Sequence, residues 1–196
     1  TGKPKGVMMP HRAVVNLIHA IQPSYEACTE EELAFGLSTG YTFDPFVCKM
    51  FFCLRLGGRV VLLPGSTALL TGALVPGRKP PITHLGDVPS VVALAHVPSS
   101  VRSVEVGGEA LTQAALDNVM REGVDVTCVN LYGPTECCVN VTARRICERL
   151  PGRLASIGRP LPNVTCYVVD ADAPTPTLLP IGVWGELWLG GVQVAR

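Results

Sequence analysis

The sequence lacks an excess of charge of either sign and lacks a long hydrophobic run. Its 16 basic and 16 acidic residues cancel, and no stretch is strongly basic. We therefore expect no binding to nucleic acid or to anionic membranes. Apolar residues make up 47% of the chain, but no apolar run approaches the ~20 residues that span a bilayer. We expect no membrane-spanning segment.

The spacing of the cysteines does not fit the common metal and disulfide frameworks. The chain has eight cysteines but no Cys-x-x-Cys pair, and Cys137 and Cys138 are adjacent, a geometry that seldom forms a bridge. The four histidines, at positions 11, 19, 84 and 96, do not cluster with them in the sequence. We expect reduced thiols that act as small apolar side chains, and a cytoplasmic protein, because the cytosol keeps thiols reduced.

Two familiar catalytic motifs are also missing, but one short segment is suggestive. The chain has no Walker loop and no Gly-x-Ser-x-Gly elbow. Residues 130–136 follow an apolar run, Val124–Val129, that predicts a buried strand. Their Gly-Pro turn leaves a hydroxyl, Thr135, and a carboxylate, Glu136, at the carboxyl end of that strand, where ligands bind in open α/β sheets. With Tyr132, these groups could stack on a base, contact a phosphate and hold a hard cation. The alternative is an ordinary loop with a helix cap.

The hydrophobic pattern predicts alternating strands and helices, and therefore a mostly parallel α/β core. A proline- and glycine-rich loop is expected at 65–81. From about Val139 the pattern becomes β-rich, with strands expected at 139–146, 165–169 and 185–189. The earlier expected strands are 6–9, 33–38, 59–63, 82–85, 101–106 and 124–129, and the expected helices are 10–21, 43–58, 89–96 and 111–121.

Three segments in this order resemble core motifs of the adenylate-forming enzymes. They are Thr1-Gly-Lys-Pro-Lys-Gly-Val7, Tyr132-Gly-Pro-Thr-Glu136 and Gly185-Glu-Leu-Trp-Leu-Gly-Gly-Val-Gln-Val-Ala-Arg196. Within that superfamily the chain looks most like the amino-acid-activating (adenylation) domains of nonribosomal peptide synthetases. Residues 156–163 and 167–170 also fit. Because both ends cut through motifs, we expect 1–196 to be a fragment of one adenylation domain, without the C-terminal lid.

The resemblance implies a fold and a nucleotide site. Layered, mostly parallel sheets flanked by helices (about 1–138) should pass into a β-rich, distorted barrel portion (about 139–196). Thr135, Glu136 and Lys3 would be catalytic, with Glu136 holding Mg²⁺. The turn at 107–110 would form a wall of the adenine pocket; the alternative is a tight strand-to-helix turn with Glu109 near the helix N-terminus. The residues implied to bind ATP are Thr1, Gly2, Lys3, Lys5, Gly108, Glu109, Ala110, Asn130, Tyr132, Gly133 and Thr135.

The resemblance also implies an amino-acid pocket built around Asp44. Its carboxylate would pair with the substrate's α-ammonium group; local sequence alone equally predicts a helix cap before Pro45. Because a buried, unpaired Glu105 would be costly, we expect a cationic or strongly donating substrate side chain. The implied lining is Asp44, Pro45, Cys48, Gly86, Glu105, Gly107, Leu131, Val139 and Asn140.

The expected function is ATP-dependent activation of an amino acid as an aminoacyl-adenylate, with release of pyrophosphate. The acyl group would pass to the phosphopantetheine thiol of a peptidyl carrier domain, and carrier and condensation domains of the same chain would be the partners. ATP, Mg²⁺ and the carrier's phosphopantetheine are the implied cofactors. The isolated fragment is expected to be inactive. The alternatives are an acyl-CoA synthetase or aryl-acid ligase of the same superfamily, or a non-catalytic nucleotide-binding remnant.

Overall fold

The computed structural model describes residues 6–28, 33–72, 81–121, 125–147 and 156–196. The α-helices are α1 (His11–Ala20), α2 (Pro45–Arg55), α3 (Thr67–Thr71), α4 (Pro89–Val92) and α5 (Gln113–Val119), and a 3-10 helix that includes Tyr25 spans Gln22–Cys28. The strands are β1 (Ala34–Leu37), β2 (Arg59–Leu62), β3 (His84–Asp87), β4 (Ser103–Gly107), β5 (Thr127–Tyr132), β6 (Thr142–Ile146), β7 (Arg159–Pro160), β8 (Val164–Asp170), β9 (Thr177–Leu178) and β10 (Glu186–Gly191).

A seven-stranded sheet forms the larger part of the structure, in the order β2-β1-β3-β4-β5-β6-β7. Its first five strands in this order pair in parallel, whereas β6 and β7 pair antiparallel. The predicted mostly parallel α/β sheet is therefore confirmed. The change to antiparallel pairing lies between β5 and β6, at the turn after Tyr132.

Helices cover both faces of this sheet. Successive strand residues point to opposite sides, so each face has its own apolar cluster. On one face Val104 and Val106 cluster with Leu116 of α5. On the other face Leu131 clusters with side chains of α1 and α2, including Leu17. The inner parallel strands β1, β3, β4 and β5 are thus largely buried on both sides, as parallel sheets require.

The β-rich portion is present as a second, antiparallel sheet in the order β10-β8-β9. The described strands form an open sheet here and not a closed barrel. The loop 161–163 leads directly from β7 to β8, where Leu161 and Val164 join the α1 side of the core. The second sheet therefore lies beside the edge of the first that carries β6 and β7.

Five local expectations were wrong in whole or in part. The helix expected at 89–96 ends at Val92, and the strand expected at 139–146 begins at Thr142. Residues 6–9 form no strand, and their apolar run has no partner strand in the described part of the chain. The expected loop at 65–81 contains the short helix α3 within its described part. The strand at β5 continues through Asn130, Leu131 and Tyr132, so the first residues of the suggestive segment belong to the sheet.

Candidate functional site

A cavity of about 340 Å³ opens beyond the carboxyl ends of the parallel strands. Its wall includes Ser38 after β1, Asp87 at the end of β3, Gly107 at the end of β4 and Gly133 after β5. This edge is where open α/β sheets bind their ligands. The cavity is therefore the candidate site.

The residues predicted to bind the substrate meet at this cavity, with one exception. Gly86 does not line it; its backbone carbonyl instead accepts a hydrogen bond from Lys49. The other predicted residues that line the wall are Asp44, Pro45, Cys48, Glu105, Gly107, Leu131, Val139 and Asn140. Their substrate-binding role stays a prediction.

Asp44 stands immediately before α2 and lines the cavity. Its backbone is already helical (φ −58°, ψ −27°), and its side chain makes no capping hydrogen bond. The helix-cap alternative is thus not what the structure contains. Burial raises the pKa of the nearby Cys138 thiol to about 11, with a further contribution from the Asp44 carboxylate. Asp44 is half-buried in the cavity wall, and its carboxylate does not cap the helix.

Glu105 has charged and polar partners within the protein. Its Oε1 lies 3.2 Å from the Lys49 ammonium, and its Oε2 accepts a 2.5 Å hydrogen bond from the Tyr25 hydroxyl. The expectation of a cationic substrate assumed an unpaired carboxylate, so its premise is wrong. The compensating cation comes from Lys49 on α2, which also lines the cavity.

The turn after β5 brings a second group of residues to the cavity. A single turn of 3-10 helix, Thr135–Cys137, follows Pro134, and Cys138 and Val139 then adopt left-handed backbone conformations with φ of 59° and 68°. The chain thereby reverses its direction, so that Val139 and Asn140 line the same cavity as Gly133. A non-glycine residue held at positive φ costs energy, especially when it is β-branched.

The residues predicted to bind ATP are only partly gathered. Gly108, Gly133 and Thr135 line the cavity. Tyr132, the last residue of β5, is 39% exposed. Ala110 is also exposed. Thr1, Gly2, Lys3 and Lys5 lie outside the described residues.

Two of the predicted ATP residues have their side chains engaged elsewhere. The Glu109 carboxylate accepts hydrogen bonds from the backbone amide and the hydroxyl of Ser90, both 3.1 Å. The buried Asn130 amide donates to the carbonyl of Ser156 over 3.0 Å. Glu109 thus bonds to α4 and not to the N-terminus of α5, the helix that follows its turn, and its ATP-binding role stays a prediction. Asn130 joins β5 to the segment before β7.

Glu136 is exposed and follows Thr135 in the turn. No group of three or more His, Cys, Asp or Glu side chains in the described ranges is placed to hold a metal ion. One carboxylate beside a hydroxyl still fits Mg²⁺, which keeps several waters and binds through one or two carboxylates plus substrate phosphates. The residues present are therefore compatible with the predicted magnesium site.

The buried cysteines are poor nucleophiles, including Cys48 in the cavity wall. Burial, and secondarily the Glu105 carboxylate, raises the pKa of the Cys48 thiol, and burial raises the pKa of Cys128 to about 12. Thiols with raised pKa values react slowly because the thiolate is the nucleophile. Seven cysteines of the described segments are free.

Among the described helices, none has the length and apolarity to cross a membrane.

Lys49, Tyr25 and Thr39 are the site residues that sequence reasoning missed. Lys49 is 4% exposed, and its ammonium also donates to the Thr39 hydroxyl over 2.8 Å. The signal was a single lysine in the otherwise apolar helix 45–54. A lysine so placed is either exposed or paired, and only the spatial position of Glu105 distinguishes the two.

The sequence of the whole chain matches one family model. The model for AMP-binding enzymes covers residues 1–196. The chain belongs to the AMP-binding enzyme family. Together with the relatives described next, this match confirms the predicted resemblance to adenylate-forming domains of nonribosomal peptide synthetases.

Curated relatives in this family are much longer proteins. The chain is 33% identical to bacitracin synthase 1 of Bacillus licheniformis, over all of this chain and 4% of that protein. It is 37% identical to the phosphinothricin tripeptide synthetase PhsB of Streptomyces viridochromogenes, over all of this chain and 16% of that protein. The chain thus spans a small part of the proteins it matches.

Solved structures agree with the fold of this chain. A four-domain nonribosomal peptide synthetase, holo-AB3403, bound to AMP and glycine, superposes with a TM-score of 0.81 at 27% identity, over all of this chain and 14% of that one. The N-terminal subdomain of Klebsiella oxytoca NpsA, in complex with 3-hydroxybenzoyl-AMSN, gives 0.74 at 18% identity, over 99% of this chain and 48% of that one. At that lower identity the second likeness concerns the fold alone.

Proposed function

We propose that this chain is the part of an adenylation domain that activates an amino acid with ATP. The observation that carries the proposal is the Asp44 carboxylate, which lines the cavity without capping α2. A carboxylate in a half-buried cavity favours a cationic ligand group. The α-ammonium group of an amino acid supplies that charge, whereas a simple fatty or aryl acid does not.

The reaction needs no protein nucleophile. One carboxylate oxygen of the amino acid attacks the α-phosphorus of ATP. The bond from that phosphorus to the oxygen bridging to the β-phosphate breaks, and pyrophosphate leaves with the electron pair. Positioning of the two reactants and neutralisation of charge account for catalysis of this kind. The raised thiol pKa values around the cavity support a mechanism without a cysteine intermediate.

The turn after β5 is the proposed phosphate side of the site. Thr135 lines the cavity, and its hydroxyl would donate to a phosphate oxygen. Glu136 would hold Mg²⁺, which supplies charge stabilisation for the leaving pyrophosphate. Lys3, with the rest of the loop at Thr1, Gly2 and Lys5, would add positive charge to the same phosphates.

The remaining nucleotide contacts form the proposed base side. The exposed Tyr132 ring would stack on adenine, and Gly108 and Ala110 would lie against its edge. Asn130 would reach the base only by giving up its bond to Ser156, so we rank it below the others.

The proposed partners follow from the kind of protein that the chain resembles. The aminoacyl group would pass from its adenylate to the phosphopantetheine thiol of a carrier domain, next to a condensation domain in the same polypeptide. The compartment we propose is the reducing cytosol, where the seven described thiols would stay free.

Amino-acid-dependent exchange of pyrophosphate into ATP tests the proposal in the natural polypeptide that contains this chain. In Asp44→Asn the exchange efficiency, kcat/KM for the amino acid, should fall at least about 100-fold, since a desolvated charged pair is lost. The matched control is Asp117→Asn, an exposed aspartate on α5, which should leave exchange unchanged.

Other outcomes would favour the alternatives. Efficient exchange with carboxylic acids that lack an α-amino group, unaffected by Asp44→Asn, would identify an acyl-CoA synthetase or aryl-acid ligase. Binding of nucleotide without exchange for any acid would identify a non-catalytic remnant. Either result would overturn the proposed reaction.

A further inference from the structure

The inner part of the cavity carries a buried ion pair between two walls. Lys49 extends from α2 and Glu105 from β4, and both line the cavity. Their charged atoms are 3.2 Å apart, and the side chains are 5% and 7% exposed. The pair is therefore almost completely removed from solvent, at the position where a ligand side chain would lie.

The Lys49 ammonium has no donor left for a ligand. It has three N–H donors, and it lies near three acceptors: Glu105 Oε1, the Thr39 hydroxyl at 2.8 Å and the Gly86 carbonyl at 2.9 Å. An anionic ligand side chain would therefore have to displace one of these bonds. It would also lie close to the Glu105 carboxylate and be repelled by it.

The Glu105 carboxylate is likewise compensated. One oxygen contacts Lys49 and the other accepts from the Tyr25 hydroxyl. A cationic ligand side chain would place a second positive charge beside the Lys49 ammonium, in surroundings of low dielectric where like charges repel strongly. What remains available on Glu105 is its spare acceptor capacity toward a neutral donor.

Glu105 also limits the space. A Cβ atom added to Gly86 would lie 2.1 Å from Cγ of Glu105, so the glutamate side chain occupies the space above that glycine. The same cavity of about 340 Å³ extends to Gly133 and Thr135 on the proposed phosphate side.

We propose that the Lys49–Glu105 pair makes the substrate pocket electrically neutral and shallow, so that it selects a small, uncharged amino-acid side chain. This rests on the proposed amino-acid activation, and it replaces the expectation of a cationic substrate. Lys49 is thereby a specificity-determining residue, because it cancels the charge that Glu105 would otherwise present.

The first test uses the unaltered protein. Pyrophosphate exchange is measured in the natural polypeptide with glycine, alanine, serine, threonine and valine, with ornithine, lysine and arginine, and with aspartate and glutamate. The expected kcat/KM is at least 100-fold higher for the best uncharged amino acid than for any charged one. A charged substrate as the best one would overturn the proposal, and this measurement needs no variant to fold.

The second test alters one charge at a time. Lys49→Met leaves the carboxylate alone and should raise the preference for ornithine or lysine over the best neutral substrate at least tenfold. Glu105→Gln leaves the ammonium alone and should raise the preference for aspartate or glutamate to a similar extent. The double variant should return to the neutral preference. The matched controls are Arg55→Met, an exposed cation on α2, and Glu186→Gln, an exposed carboxylate on β10.

The outcomes separate this proposal from the proposed reaction. Absence of exchange with every amino acid in the unaltered protein would overturn both. Exchange with a small neutral acid that lacks an amino group, and with no amino acid, would overturn the proposed reaction. It would leave intact the proposal that the pocket selects small, uncharged groups. The single variants are first shown to be folded by circular dichroism. If they keep the parent's ranking of neutral and charged substrates, only the proposal on pocket selectivity is overturned.

Discussion

The side-chain amide of Gln193 donates a 2.7 Å hydrogen bond to the backbone carbonyl of Asn140. The same amide nitrogen lies 3.2 Å from the carbonyl of Cys137, and its oxygen accepts from Asn16 over 2.7 Å. Gln193 is fully buried. It therefore holds both ends of the left-handed pair at 138 and 139 and fixes that turn to α1.

Replacing Gln193 with methionine should loosen this turn. The variant keeps the side-chain length but leaves two buried carbonyls and the Asn16 amide without this partner, which should lower the free energy of unfolding by about 3 kcal/mol. Because Val139 and Asn140 line the cavity, the KM for the amino acid should rise several-fold more than kcat falls. Hydrogen exchange at the amides of 138–140 should speed up.

Gln113→Met is the control, because Gln113 is exposed on α5. This substitution should leave the free energy of unfolding, the KM and the hydrogen exchange at 138–140 unchanged. Equal KM values in the parent and Gln193→Met, together with unchanged exchange at 138–140, would show that the turn holds its shape without Gln193.

Periodicity predicted most of the layered core, and the structure explains why. Helix α1 and the start of α2 at Pro45 lie where the sequence placed them, because an apolar stripe and a proline at the first turn are local signals. The alternation of strands and helices was enough to predict parallel pairing. The strands β7 and β9 were not predicted, because each has only two residues, too few to produce a hydrophobic pattern.

The pocket's composition was predictable by resemblance, but its electrostatics were not. Asp44 and Glu105 were identified residue by residue. Lys49 was not, because its partner lies on a different strand, and a pattern along one helix carries no information on that contact. The turn at 138–139 was missed for a similar reason: neither Cys138 nor Val139 is a residue that predicts a left-handed backbone.

Gly86→Ala should show how closely Glu105 is packed. The added Cβ would lie 2.1 Å from Cγ of Glu105, so the carboxylate must shift away from Lys49 and Tyr25. Overpacking of a buried site of this kind should lower the free energy of unfolding by about 1–3 kcal/mol, measured by urea denaturation.

Gly40→Ala is the matched control, because a Cβ there meets no atom within 4 Å. If Gly86→Ala were as stable as the parent, the Glu105 side chain would have to be mobile in the folded protein. The pair with Lys49 would then be too loose to define the pocket.

Protonation of His84 should weaken the fold in mild acid. His84 is 2% exposed on β3, with the Phe35 and Tyr25 rings about 6 Å away and the Thr83 hydroxyl 3.0 Å from its Nδ1. Burial lowers its pKa from 6.5 to about 4. The neutral ring contributes stability in full above pH 6.5, and that contribution is lost as the pH falls toward 4, because the unfolded chain binds the proton first. Between pH 7 and pH 5 the loss should be about 2 kcal/mol.

Urea denaturation at pH 7 and pH 5 measures this loss, and the comparison of two variants assigns it. In His84→Gln the decrease between the two pH values should be smaller by about 2 kcal/mol, whatever the variant's stability at pH 7. His96→Gln, which alters an exposed ring, should keep the decrease of the parent. Equal decreases in the parent and in His84→Gln would mean that the buried imidazole accepts its proton in the folded state near its ordinary pKa. The ring would then have to reach solvent, which its position between Phe35 and Tyr25 does not allow without opening β3.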